Sequence, residues 1–184
     1  LTISLTGVDL FVGLGGSFDT TEGSYGVLTT GATGFSVENA NLYLALASTT
    51  ALTDTRSWTG IAASADSMSV VGLPADFTLQ VDNLSVLYNT QSATSTPAAS
   101  AMSWSLLIAD TANPLHDLSG DTSLAVSGDL TVNLGGYVLV AGSFDVAKTT
   151  QPAVVLGEGD TQSIDLLTIS LTGVDLFVGL GGSF

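Results

Sequence analysis

Apolar residues alternate with polar ones along most of the chain. Val8, Leu10, Val12 and Leu14 do so, as do Leu130, Val132 and Leu134. A period of two is the mark of a half-buried strand, and no stretch carries a helical period. The pattern predicts an all-β chain. A longer motif runs through it, with apolar residues at i, i+2, i+7, i+9 and i+11. Leu1, Ile3, Val8, Leu10, Val12 follow it; so do Phe35, Val37, Leu42, Leu44, Leu46 and Phe77, Leu79, Leu84, Val86, Tyr88. Ile61, Ala63, Met68, Val70, Gly72 follow it more loosely, and Leu124, Val126, Leu130, Val132, Leu134 follow it with one residue deleted.

The step from i+2 to i+7 is odd, and in a plain strand an odd step turns side chains to the other face. A bulge or bend must restore the register. Gly7, Asn39, Asn41, Asp66, Asp82, Asn83, Gly128 and Asp129 stand there, residue types that tolerate left-handed backbone or make local turns. Each unit is therefore expected as a bent strand pair of about 12 residues, up to roughly 40 Å long. LGGY at 134–137 predicts a two-residue hairpin turn, with Leu134 facing Tyr137 and Val132 facing Leu139. LPAD at 73–76 predicts a second tight connection. Loops are expected near 19–24, 48–56, 90–100, 110–122 and 147–152. Asp-Thr pairs at Asp19, Asp54, Asp110, Asp121 and Asp160 fall in or beside loops, where the Asp caps its own turn.

The opening LTISLTGVDLFVGLGGSF returns unchanged as residues 167–184, so Leu1 recurs as Leu167 and Phe18 as Phe184. Residues 1–166 then read as one complete tandem repeat, and 167–184 as the first strand unit of the next. Separate beads would need a polar linker at the seam. The seam instead reads GEGDTQSIDLLTISLTGVDLFV, a turn leading straight into a strand. The expected architecture is an elongated solenoid-like stack of bent strands and antiparallel hairpins, continuous from repeat to repeat.

Composition narrows the partners. Charged residues are only 10%, with 17 acidic side chains against Arg56 and Lys148. A net charge of −15 excludes nucleic acid, which needs clustered Lys and Arg. It disfavours anionic membranes and favours solubility and divalent cations. Scarce basic residues point to an extracellular or cell-surface location. There are no cysteines, so disulfides and thiolate metal sites are impossible. No apolar run is long enough for a transmembrane helix.

SWTGIAASADSMSVVGLPADFTLQVDNLSVLYN, SGDLTVNLGGYVLVAGSFDV and LTISLTGVDLFVGLGGSF resemble units of very long, repetitive bacterial proteins of the adhesin-like surface kind. That resemblance implies secretion, great length and a fibrous role, with no catalytic residues to carry over.

Chemistry is sparse. His116, Asp117 and Ser119 are too close in sequence to converge as a triad, and no strand-turn-helix elbow accompanies them. Trp58 and Trp104, in the strand-like runs SWTGI and SWSLL, read as core anchors rather than sugar platforms. GLGGS at 13–17 lacks the helix and basic residue of a phosphate loop and reads as a turn. Calcium is the best ligand, because it takes six to eight oxygens and acidic loops supply them. Asp19 and Glu22 in DTTEGS, with Asp117 and Asp121 in DLSGD, are the candidate ligands. The reading as a whole is a non-enzymatic structural module of a long fibre whose partner is itself. The alternative is an adhesive module that recognises glycan or matrix through its loops. An ice-binding solenoid and a transmembrane barrel fit less well, for want of a Thr face and of aromatic girdles.

Overall fold

A computed structural model describes residues 1–21, 23 and 26–184. Among them no α-helix occurs. The elements are β1 (Thr2–Leu14), β2 (Ser17–Asp19), β3 (Gly26–Leu28), β4 (Thr33–Ser48), β5 (Ser57–Val71), β6 (Phe77–Gln91), β7 (Thr122–Leu134), β8 (Val138–Gly157) and β9 (Asp160–Val178). One turn of 3-10 helix spans Trp104–Leu106. The expected all-β class holds. Strands β1-β4-β5-β6-β7-β8-β9 form one open antiparallel sheet in that order, and β2 and β3 form a small ribbon.

The odd step is answered by bulges. Gly7, Asn39, Asn83 and Gly173 adopt positive φ of 65°, 50°, 52° and 58°. The ladder shifts register between Leu5 and Val8, and between Asp82 and Ser85. Each unit is thus one continuous bent strand, not the expected pair. In β7, whose motif lacks a residue, Ser127, Gly128 and Asp129 pair without interruption against Asp145, Phe144 and Ser143. Polar side chains pin the bulges. Asn39 donates its N–H to Asp9 Oδ1 (2.8 Å) and its Nδ2 to Asp66 Oδ2 (2.7 Å). Asp129 accepts from Asn83 Nδ2 (2.8 Å) and the Ser143 hydroxyl (2.6 Å). Those two bonds hold its carboxyl below the usual carboxylate range, the serine's contribution being the larger.

Three expectations are corrected. At LGGY the Tyr137 N–H does bond the Leu134 carbonyl (3.1 Å), and both glycines take left-handed φ. But the Tyr137 carbonyl turns to Gly179 N–H (2.9 Å), so Tyr137 is an extra residue in the ladder. Leu134 then pairs with Val138 and Val132 with Val140, one residue away from the expected register. Residues 147–152 are no loop: β8 runs through them to Gly157. Trp104 lies in the 3-10 turn rather than in a strand.

That tryptophan anchors the one compact core cluster among the described residues. The segment between β6 and β7 folds back over one face of the sheet. Trp104, Leu115 and Leu118 are buried there against Ala45 and Ala62. Small residues make the floor: a Cβ on Gly60 would stand 2.5 Å from the Trp104 ring. Buried Asn89 satisfies the edges of the cluster. It accepts from Trp104 Nε1 (3.0 Å) and donates to the carbonyls of Met102 (3.0 Å) and Ser119 (2.9 Å), so no polar cost is left behind.

Candidate functional site

The duplicated segment supplies β1 and the main part of β9, and these are the two edges of the large sheet. β9 stands six steps from β1 along the sheet. In an antiparallel order an even number returns the chain to its starting direction, so β1 and β9 run the same way. The facing of the side chains is also kept. Following cross-strand partners from Leu5 leads through Leu42, Ala63, Val86, Val126 and Val146 to Ile169. Ile169 is the counterpart of Ile3, not of Leu5. The stagger is two residues, about 7 Å, and an even stagger keeps the same side chains on the same face.

The two copies use opposite backbone edges. Leu1 exchanges both backbone bonds with Leu46 of β4 (3.0 and 2.8 Å). Gly179, the counterpart of Gly13, donates to Tyr137, the residue just before β8 (2.9 Å). Backbone groups of successive residues point to alternate sides of a strand. The groups of β9 that correspond to the β4-binding set of β1 therefore face outward, with no strand beyond them among the described residues.

Side chains repeat the point. In the first copy Asp9 receives the Asn39 N–H and Phe11 lies on Gly34, where an added Cβ would be 2.9 Å from the ring. Their counterparts Asp175 and Phe177 stand on the outer strand β9, with Phe177 42% exposed.

The faces of the sheet differ as sharply as its edges. One carries apolar residues on every strand; the row Ile3, Leu44, Ile61, Tyr88, Leu124 ends at Lys148 beside Leu167. Lys148 is paired with Asp165 (3.1 Å), at the margin. By strand alternation Asp9, Glu38, Asp82, Asp129, Asp145 and Asp175 all stand on the opposite face. Among the described residues nothing covers the apolar face, and Leu10, Val12, Leu79, Leu134, Leu171 and Leu176 are all exposed. The total accessible surface is 11355 Å². A finished globule of 18.5 kDa shows about 8,200 Å², leaving roughly 3,000 Å² more than a closed fold would expose.

The candidate calcium ligands lie in separate places. Asp19 ends β2, where its Oδ1 accepts the Thr21 N–H (2.9 Å), a bond that lowers its pKa. Glu22 lies outside the described residues. Asp117 is exposed, 4.0 Å from His116 Nε2, and the Asp121 N–H bonds Ser119 Oγ (3.1 Å). Asp19 pairs with Gly26 beside Asp9 of β1, whereas Asp121 stands just before β7. No group of three or more His, Asp or Glu gathers among the described residues. Asp54 and Asp110, like Asp19, cap turns by accepting an N–H two residues on (3.1 and 2.9 Å). Asp54 is held down to about 2 chiefly by its bonds from the Arg56 guanidinium. His116 Nδ1 is engaged by the Ile108 carbonyl (2.7 Å). Compared with known protein families, curated proteins and solved structures, the chain matches none of them.

Proposed function

We propose that the chain is a structural repeat module of a very long extracellular or cell-surface fibre, in which successive periods of the repeat continue one β-sheet edge to edge. One observation carries this reading: one duplicated segment forms both outer strands of the sheet, in the same direction and with opposite backbone edges engaged. The outer edge of β9 then receives the next β4, as β1 receives β4 here. Leu167 meets the next Leu46, Asp175 the next Asn39, and Phe177 the next Gly34. Six strands at about 4.8 Å spacing add about 29 Å per period. Stability in such an array is a sum of units and nearest-neighbour interfaces, so length itself stabilises. Edge strands stop being a liability because each is paired by its neighbour. The acid groups on the polar face keep adjacent fibres apart or let cations bridge them.

Proteins of one, two and three periods test this. Melting temperature should rise with each added period, and negative-stain images should show stiff rods lengthening by about 29 Å per period. Equal melting temperatures with flexibly linked beads would overturn it.

A further inference from the structure

We propose that a second copy of this chain covers the bare apolar face, face to face, about a two-fold axis parallel to the strands. The fibre is then a two-sheet ribbon, polar outside and dry within. The proposal uses the face and not the edges, so it stands apart from the edge-to-edge reading above.

Area is the first argument. The face spans seven strands and about 12 residues, on the order of 1,200 Å² per copy from strand spacing and rise. Two such faces bury about 2,400 Å², above the 1,200–2,000 Å² of standard stable interfaces and in the range of obligate ones. The roughly 3,000 Å² of surplus surface is enough to supply it. The chain covers part of its other face with the Trp104 segment, and among the described residues no segment covers this one. Charge is the second argument. Six acids stand on the opposite face, and the basic–acidic pair Lys148–Asp165 sits at the margin, so bringing two apolar faces together buries no unpaired charge at the centre.

Shape fixes the axis. The bulges bend β1, β4, β5 and β6 around a hollow of about 370 Å³ lined by Val8, Val37, Ala40, Ala63, Ala65 and Met68. Where Gly128 pairs with Phe144, β7 and β8 run straight without a bulge, and Phe144 stands up beside Gly128, where a Cβ would be 3.2 Å from its ring. Gly128 lies level with the bulge at Asn83, and so does the hollow. A two-fold axis along the strands exchanges the first strand with the seventh and the third with the fifth. It therefore sets the Phe144 ring, over the fifth strand, above Ala65 on the third strand of the other copy. Each copy offers one knob and one hollow, as a closed isologous contact requires. Packed sheets of this kind lie about 10 Å apart.

The 184-residue chain is tested by sedimentation equilibrium, with circular dichroism to confirm the fold. A dimer is expected. Phe144→Ala and Ala65→Phe should each weaken it roughly a hundredfold, the first by emptying the hollow and the second by filling it. The double variant exchanges knob and hollow and should recover most of the loss in dimer affinity, with no matching recovery in monomer unfolding. A folded monomer at high concentration overturns the proposal. So does a chain that binds phosphatidylcholine vesicles in place of itself. Association that ignores both substitutions but is lost on Ile169→Pro places the contact at the edge, overturning the face proposal while sparing the edge reading.

Discussion

Strands β1 and β9 share one repeated segment and almost nothing of their surroundings. Their local conformation is the same: the bulge glycines Gly7 and Gly173 have φ of 65° and 58°, and the turn glycines Gly15 and Gly181 have 80° and 75°. Their partners are not. The first copy gives its Leu1 backbone bonds to β4, whereas the second gives its Gly179 bond to Tyr137, at the threshold of β8. What the sequence writes twice is therefore a strand with two usable edges, and the neighbours decide which one is taken.

Proline separates the two edges most strongly. The Leu1–Leu46 pair exchanges bonds, so in the alternating antiparallel pattern Ile3 and Leu44 exchange them too. Ile3→Pro should cost about 1–3 kcal/mol in urea unfolding, by removing a ladder donor and orphaning its acceptor. Ile169→Pro places the same change where the N–H faces outward, and should cost about 0.5 kcal/mol or less. Equal costs would mean that the two edges are not used in opposite ways.

A smaller and equal effect is expected at the bulge. Gly7→Ala and Gly173→Ala each force a side chain into left-handed backbone, costing about 1–2 kcal/mol. Agreement between the two shows that the bulge belongs to the segment; a large difference shows that a neighbouring strand imposes it.

Acid gives the smallest and most local contrast. Asp165, just ahead of the duplicated part of β9, is held below its ordinary value by Lys148 first and by the Thr150 hydroxyl second. A carboxyl lowered in the folded state stabilises above its unfolded value near pH 4, and that contribution fades as the pH falls through the folded value. Amide protection along Asp160–Leu166, taken relative to the intrinsic exchange rate at each pH, should therefore fall below about pH 4, before the β1–β4 ladder opens. Asp165→Asn should abolish the pH step, since an amide does not titrate there.

Much of the fold was legible because alternation and bulge chemistry are local. The five-residue step marks where Gly7, Asn39 and Asn83 turn left-handed, whereas Gly128 and Asp129, expected to bend β7 in the same way, pair straight through because their step is four residues and needs no correction of register. The LPAD connection also followed: Phe77 N–H bonds the Pro74 carbonyl (2.8 Å) between β5 and β6. Trp104 was not legible as part of a 3-10 turn. Its seat is made by Ala45, Gly60, Ala62 and Asn89 on three strands, and nothing in SWSLL records them. The small residues on the polar side of those strands were the available signal. The LGGY register failed for a similar reason. Tyr137 is an extra residue because its carbonyl is taken by Gly179, which lies beyond the whole of β8 and just past the end of β9.

By itself the sequence determined most of the strands, their bends and the identity of the two repeated strands, because a period of two, a left-handed residue and an exact repeat are properties of short stretches. Only the tertiary structure decided that those copies lie on opposite edges, run the same way and keep one apolar face across a two-residue stagger. Strand order and register are set by contacts between residues far apart in the chain, where side-chain size and backbone pairing act together.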